Sequence, residues 1–192
     1  MTNRRTVVLG LAAAGLATPT LAKGRFRPLF NRRDLDGWTP VGDADWTVDD
    51  GVLSAGKGGM SFLVSKDSFR DFDLRAEIWV SDDANSGIFI RCADRLRITP
   101  ATAYEVNVFD RRPDPTYGTG AIVDVAPVSP MPKAGGRWSL MQVRARGDSL
   151  SVVFNGQTTV DAVRDAAHAE GPIALQYGSG VVKFRTVEVR AV

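Results

Sequence analysis

Glu105 is one of only four glutamates in a chain whose other acidic residues are 18 aspartates. It stands in an alternating run, Tyr104-Glu105-Val106-Asn107-Val108-Phe109. In an extended strand Tyr104, Val106 and Val108 point one way, and Glu105 and Asn107 the other. A carboxylate that loses part of its hydration holds its proton more tightly and can serve as a general acid or base near neutrality. Five other side chains complete a possible constellation. Arg91 ends the strand Gly87–Arg91 on the face of Phe89; a guanidinium there could hold a ligand oxygen or offset a developing negative charge, or simply pair with Glu105. Asp110 follows Glu105 by five residues and offers a second carboxyl, although an Asp before Arg111-Arg112-Pro113 also suits a turn. Asn107 and Gln176 are amides suited to hydroxyl groups, and Gln176 shares the polar face of Pro172–Tyr177 with Ala174. Trp79 lies on the polar face of its own strand, where an indole could stack on a ring.

These residues need strands to position them, and the sequence supplies strands. Phe72, Leu74, Ala76, Ile78 and Val80 alternate with Asp73, Arg75, Glu77 and Trp79, the period of a half-buried strand. Similar alternation covers Gly87–Arg91, Tyr104–Phe109, Arg137–Arg146, Leu150–Phe154, Pro172–Tyr177 and Val181–Val189. Turn clusters such as Asp49-Asp50-Gly51, Gly135-Gly136 and Gly147-Asp148 divide the runs. Asn155-Gly156 between two apolar runs is a hairpin signal. The apolar phase changes from Val182 and Phe184 to Val187 and Val189, which predicts a bulge near Arg185-Thr186. Only Asp161–Glu170 has helical composition, and it is short enough for an edge helix or an irregular loop. Ten or eleven strands without βαβ spacing predict an all-β fold, an antiparallel sandwich or jelly roll.

Composition narrows the function. The chain has 192 residues, with 24 Lys+Arg against 22 Asp+Glu. A surplus of two charges gives no basic stripe for nucleic acid. One cysteine, Cys92, excludes an intramolecular disulfide, and one histidine, His168, excludes a two-histidine zinc motif. The paired aspartates Asp43/Asp45, Asp49/Asp50 and Asp82/Asp83 read as solvated turns, so no metal site is expected. Residues 1–22 carry Arg4-Arg5, an apolar run from Val7 to Ala17 and a small-residue end at Thr20-Leu21-Ala22, the layout of a cleavable signal peptide. The twin arginines resemble a twin-arginine export signal. The run is too short to span a bilayer, so no membrane anchor is expected after processing. The expected mature domain is residues 23–192, periplasmic or secreted. Arg4 and Arg5 account for the whole positive surplus, so that domain is electrically balanced.

An ordered set of segments carries a family resemblance. Leu29-Phe30-Asn31, Asp34-Leu35-Asp36-Gly37-Trp38 and Asp50-Gly51-Val52-Leu53 come first. Asn85-Ser86-Gly87-Ile88-Phe89-Ile90-Arg91, Tyr104-Glu105-Val106-Asn107-Val108-Phe109-Asp110 and Thr119-Gly120-Ala121-Ile122 follow. Gly136-Arg137-Trp138, Gly171-Pro172-Ile173-Ala174-Leu175-Gln176 and Val182-Lys183-Phe184-Arg185 close the series. Together they resemble the 3-keto-disaccharide hydrolase family across roughly residues 29–190. The resemblance implies a concanavalin A-like jelly-roll β-sandwich of two antiparallel sheets, with the polar strand faces lining a concave groove. Departures occur at Asn107, Tyr177-Gly178, Thr186 and Ser139.

The family's reaction would use a ketone at C3 of a sugar, which acidifies the hydrogen at C2. The resemblance implies Glu105 as base, Arg91 as stabiliser of the enolate oxygen and Asp110 as acid, with Asn107, Gln176 and Trp79 on the substrate. It implies no redox cofactor, because a separate sugar 3-dehydrogenase would make the ketone; the chain has no glycine-rich dinucleotide motif. The partner is then a small carbohydrate. Two alternatives stand beside it. One is a carbohydrate-binding module without catalysis. The other is a conventional glucanase, since Glu105-x-Asn107-x-x-Asp110 superficially echoes the acidic strand of jelly-roll β-glucanases. A retaining mechanism needs two carboxyls about 5–5.5 Å apart, and the amide at position 107 disfavours it.

Overall fold

The computed structural model describes residues 24–192; the expected signal peptide lies outside the described residues. The strands are β1 (Arg27–Pro28), β2 (Trp38–Val41), β3 (Thr47–Asp49), β4 (Val52–Ala55), β5 (Ser61–Phe69), β6 (Phe72–Val80) and β7 (Asn85–Ile90). They continue with β8 (Tyr104–Val108), β9 (Trp138–Arg146), β10 (Ser149–Phe154), β11 (Gln157–Arg164), β12 (Gly171–Ser179) and β13 (Val182–Ala191). One 3₁₀ turn, Pro115–Tyr117, lies in the long connection after β8.

Two antiparallel sheets pack face to face, the sandwich the strand count and family resemblance predict. The larger runs β11-β10-β9-β6-β13-β4-β3, with β1 also paired to β13; the smaller runs β2-β5-β12-β7-β8. The inner faces are mainly apolar, with a few hydrogen-bonded serines such as Ser61, Ser65 and Ser86. Leu74, Ile78, Val143 and Phe184 from the larger sheet meet Leu63, Ile88, Val106 and Leu175 from the smaller, all at most 2% exposed. Period-two sequences close this core because each strand then sends one set of side chains inward.

Local chemistry sets the details. Asn155 and Gly156 both have positive φ, 49° and 82°, and join β10 to β11 as a two-residue turn. The phase change in the last strand is a register shift between Phe184 and Thr186 against β6. The helical composition of Asp161–Glu170 gives no helix: β11 continues to Arg164 and the rest is loop. Pairing with β10 satisfies the backbone there, and ten residues are too few to nucleate a stable helix alone.

Candidate active site

The outer face of the smaller sheet, away from the main core, holds the polar residues. Cross-strand register arranges them in two rows. Val64 pairs with Ala174, Ala174 with Phe89, and Phe89 with Glu105. Phe62 pairs with Gln176, Gln176 with Gly87, and Gly87 with Asn107. Glu105, Asn107 and Gln176 therefore share one face; alternation within the strand pairs Glu105 with Asn107, and the cross-strand register adds Gln176. The segment after the 3₁₀ turn extends this sheet beyond β8. Asn107 N donates to Ala121 O at 3.0 Å, Gly120 N to Asn107 O at 2.8 Å and Val123 N to Glu105 O at 3.0 Å. Val106 faces Ile122 across that edge.

Burial makes this face chemically unusual. Glu105 is 6% exposed. Loss of hydration pushes its pKa up to about 7; the Arg112 guanidinium opposes that rise and the Asp124 carboxylate adds to it. Asn107 donates from Nδ2 to Tyr117 O at 2.6 Å. Its Oδ1 has no partner, and neither has Gln176 Oε1; among the described residues these are the only buried side-chain polar atoms left unpaired. Leaving such an acceptor dry costs about 1–3 kcal/mol, so each calls for a donor that the described side chains and backbone do not supply. Gly87 lies between the two amides. A methyl group there would sit 3.2 Å from Gln176 Oε1, 3.0 Å from Val106 O and 3.6 Å from Glu105 Cγ. A side chain there would crowd the acid and Gln176.

The other expected site residues lie elsewhere. Arg91 has φ of 53°, a left-handed conformation at the end of β7 that turns its side chain off the Phe89 face. The guanidinium is 1% exposed and donates to Arg70 O at 2.6 and 2.8 Å, Gly147 O at 2.7 Å, His168 O at 3.2 Å and Asp71 Oδ1 at 3.2 Å. It ties three loops together, and every contact is internal. Asp110 is likewise committed. It accepts from Thr119 Oγ1 at 2.6 Å and from the backbone N–H groups of Ala134 and Gly135 at 3.0–3.1 Å. Three donors on one carboxylate make a loop anchor. Trp79 belongs to the other sheet, on its outward face, beside Trp138 and under Lys183 Nζ at 4.9 Å from the ring centre. Strand alternation gives the face of Arg91 and of Trp79 but does not say which sheet, or which end of a strand, a residue occupies.

Arg112 and Asp124 were not singled out by the sequence. Arg112 lies in a Pro-rich stretch that reads as a turn. Asp124 lies in a tight turn with φ of 61°, closed by Ala126 N donating to Ile122 O at 2.8 Å. The one available signal was their place in the long connection that follows the Glu105 strand. Among the described residues no group of three His, Cys, Asp or Glu side chains could hold a metal ion.

The smaller sheet of this sandwich presents a desolvated carboxyl on the same face as two unpaired amide oxygens. The chain belongs to the 3-keto-alpha-glucoside-1,2-lyase-like domain family, whose model matches residues 25–190. Solved structures agree on the fold. A Parabacteroides distasonis protein assigned as a glycosyl hydrolase superposes with a TM-score of 0.72 at 21% identity, covering 88% of this chain and 100% of that one. The carbohydrate-binding module CBM66 of Bacillus subtilis gives 0.65 at 20% identity, over 81% and 96%. A lichenase, a β-1,3-1,4-glucanase from a mouse hindgut metagenome, gives 0.57 at 11% identity, over 88% and 99%. No curated protein matches the sequence.

Proposed function

We propose that this protein cleaves 3-keto-glycosides at the outer face of the smaller sheet, with Glu105 as the base. The observation that carries the reading is a buried carboxyl with a pKa near 7 beside two unpaired amide oxygens. The family supports the reaction class. A ketone at C3, which a separate sugar 3-dehydrogenase would supply, acidifies the C2 hydrogen. Glu105 takes that proton, and the electron pair moves onto the C3 oxygen as an enolate. When the carbonyl re-forms, a C1=C2 double bond forms and the C1–O glycosidic bond breaks. The leaving oxygen then takes a proton, which the newly protonated Glu105 can return. Water adds hydroxyl to C1 and hydrogen to C2, so the net reaction is hydrolysis.

Two roles differ from those the family resemblance implies. Arg112, the cation whose charge acts on Glu105, replaces Arg91 as the group that offsets a developing enolate. A single carboxyl that takes and returns the proton removes the need for Asp110. Asn107 Oδ1 and Gln176 Oε1 accept from sugar hydroxyls. The commitment of Asp110 to Thr119, Ala134 and Gly135 weighs against a two-carboxylate glucanase.

The test is a substrate panel. The protein is expected to cleave 3-keto-disaccharides and to leave the unoxidised sugars intact. Cleavage of plain glucan would instead identify a conventional glucanase. Saturable binding of sugars with no turnover of any would identify a binding module.

A further inference from the structure

The outward face of the larger sheet gathers arginines where β13, β6, β9 and β10 lie side by side. Arg190 pairs with Asp73, Asp73 with Arg144, and Arg144 with Ser151. In the next row Glu188 pairs with Arg75, Arg75 with Gln142, and Gln142 with Val153. An open cavity of about 210 Å³ lies there, and Phe26, Asp73, Gln142, Arg144, Ser151 and Arg190 are in its lining. Pockets for drug-sized ligands run to roughly 300–1,000 Å³, so this one suits a single small unit.

Charge and hydrogen bonding define what that unit carries. Asp73 is buried and already matched: Arg144 Nε donates to its Oδ1 at 2.7 Å and Arg190 Nε to its Oδ2 at 2.8 Å. Arg146 lies 3.9 Å from the same carboxylate, and Arg75 pairs with Glu188. Four guanidinium groups therefore meet two carboxylates, a local surplus of two positive charges. The Arg75 and Arg190 guanidiniums are also held 4.2 and 4.7 Å from the centre of the Phe26 ring. Such fixed forks lose little freedom when they grip an oxyanion through paired hydrogen bonds. Among the described residues nothing bonds to Arg144 Nη1, Arg190 Nη1 or the Gln142 amide. Ser151 Oγ accepts from Ala162 N at 3.1 Å, which leaves its O–H to donate. Amide and hydroxyl beside the arginines match sugar hydroxyls. An oxyanion and hydroxyls on one small unit describe a sugar acid. We propose that this cavity binds the carboxylate end of a sugar acid, a uronate. It lies on the sheet opposite Glu105, so it is a binding site outside the reaction.

Calorimetry at low salt with glucuronate, glucose and inorganic sulfate tests the site. Wild-type protein should bind glucuronate at least about tenfold more tightly than glucose or sulfate, and added salt should weaken that binding. Gln142→Glu places a carboxylate in the cavity and should weaken glucuronate binding at least about tenfold. Gln142 is exposed and stands opposite Arg75, so the variant should melt like the wild type. Its cleavage of a neutral 3-keto-disaccharide at Glu105 should be unchanged. Equal affinity for glucuronate and glucose, or undiminished glucuronate binding in Gln142→Glu, overturns the site. Sulfate bound as tightly as glucuronate overturns the sugar-acid assignment in favour of an inorganic anion. None of these measurements needs turnover, so failure of the catalytic reading at Glu105 leaves them intact.

Discussion

Glu105 ionises against a penalty, and that penalty has two measurable consequences. Its pKa in the fold, about 7, lies above the ordinary value of 4.5. Between those values the folded state holds a proton that the unfolded state has lost, so stability falls as pH rises. The contribution is full below about pH 4.5 and lost above about pH 7. The difference is on the order of 3 kcal/mol. Glu105→Gln removes the penalty, so at pH 8 the variant should melt on the order of 5 °C above wild type, with little difference at pH 4. Activity should move oppositely: as a base, ionised Glu105 makes kcat/KM climb about tenfold per pH unit and level off above about pH 7. A profile that falls through pH 7 would assign it as an acid. Much of this was legible in the sequence, because period-two alternation puts Glu105 and Asn107 on one face and Gln176 on the polar face of its own strand. Arg91 was not, because a single left-handed residue at a strand end leaves no mark in hydrophobic alternation. Arg112 and Asp124 come to Glu105 through loop geometry, which alternation does not encode.

Whole elements depend on residues that do no chemistry. The buried Arg91 guanidinium joins the turn between β5 and β6, the turn between β9 and β10 and the loop before β12. Arg91→Ala leaves those carbonyls without their donor and Asp71 Oδ1 with the Gly147 N–H alone. The expected loss is about 3 kcal/mol or more in urea unfolding, whereas a role in transition-state binding alone would leave stability intact. The hairpin at Asn155-Gly156 and the shift near Arg185-Thr186 were readable because both are local. Composition misled at Asp161–Glu170, where pairing with β10 outweighs helix propensity. The strand order β2-β5-β12-β7-β8 joins residues about a hundred positions apart, and no local pattern specifies such pairings.

At the scale of the molecule, the two sheets divide the labour. The smaller bears the carboxyl and the unpaired amides; the larger bears Trp79, Trp138 and an outward face crossed by ion pairs such as Arg144–Asp73 at 2.7 Å. Trp79→Ala should therefore keep kcat/KM within about twofold of wild type, since Trp79 lies on the sheet opposite the site; a large loss would move the site to the wrong sheet. The balance of 22 basic and 22 acidic residues after Ala22 suits a neutral sugar. The central claim is that Glu105 removes the proton from C2, and the fate of that hydrogen tests it directly. In heavy water, wild-type protein should release a 3-keto sugar labelled with deuterium at C2, at a rate lowered at least about a hundredfold in Glu105→Gln. Release of the sugar with its original C2 hydrogen, or unchanged labelling in the variant, would contradict the account.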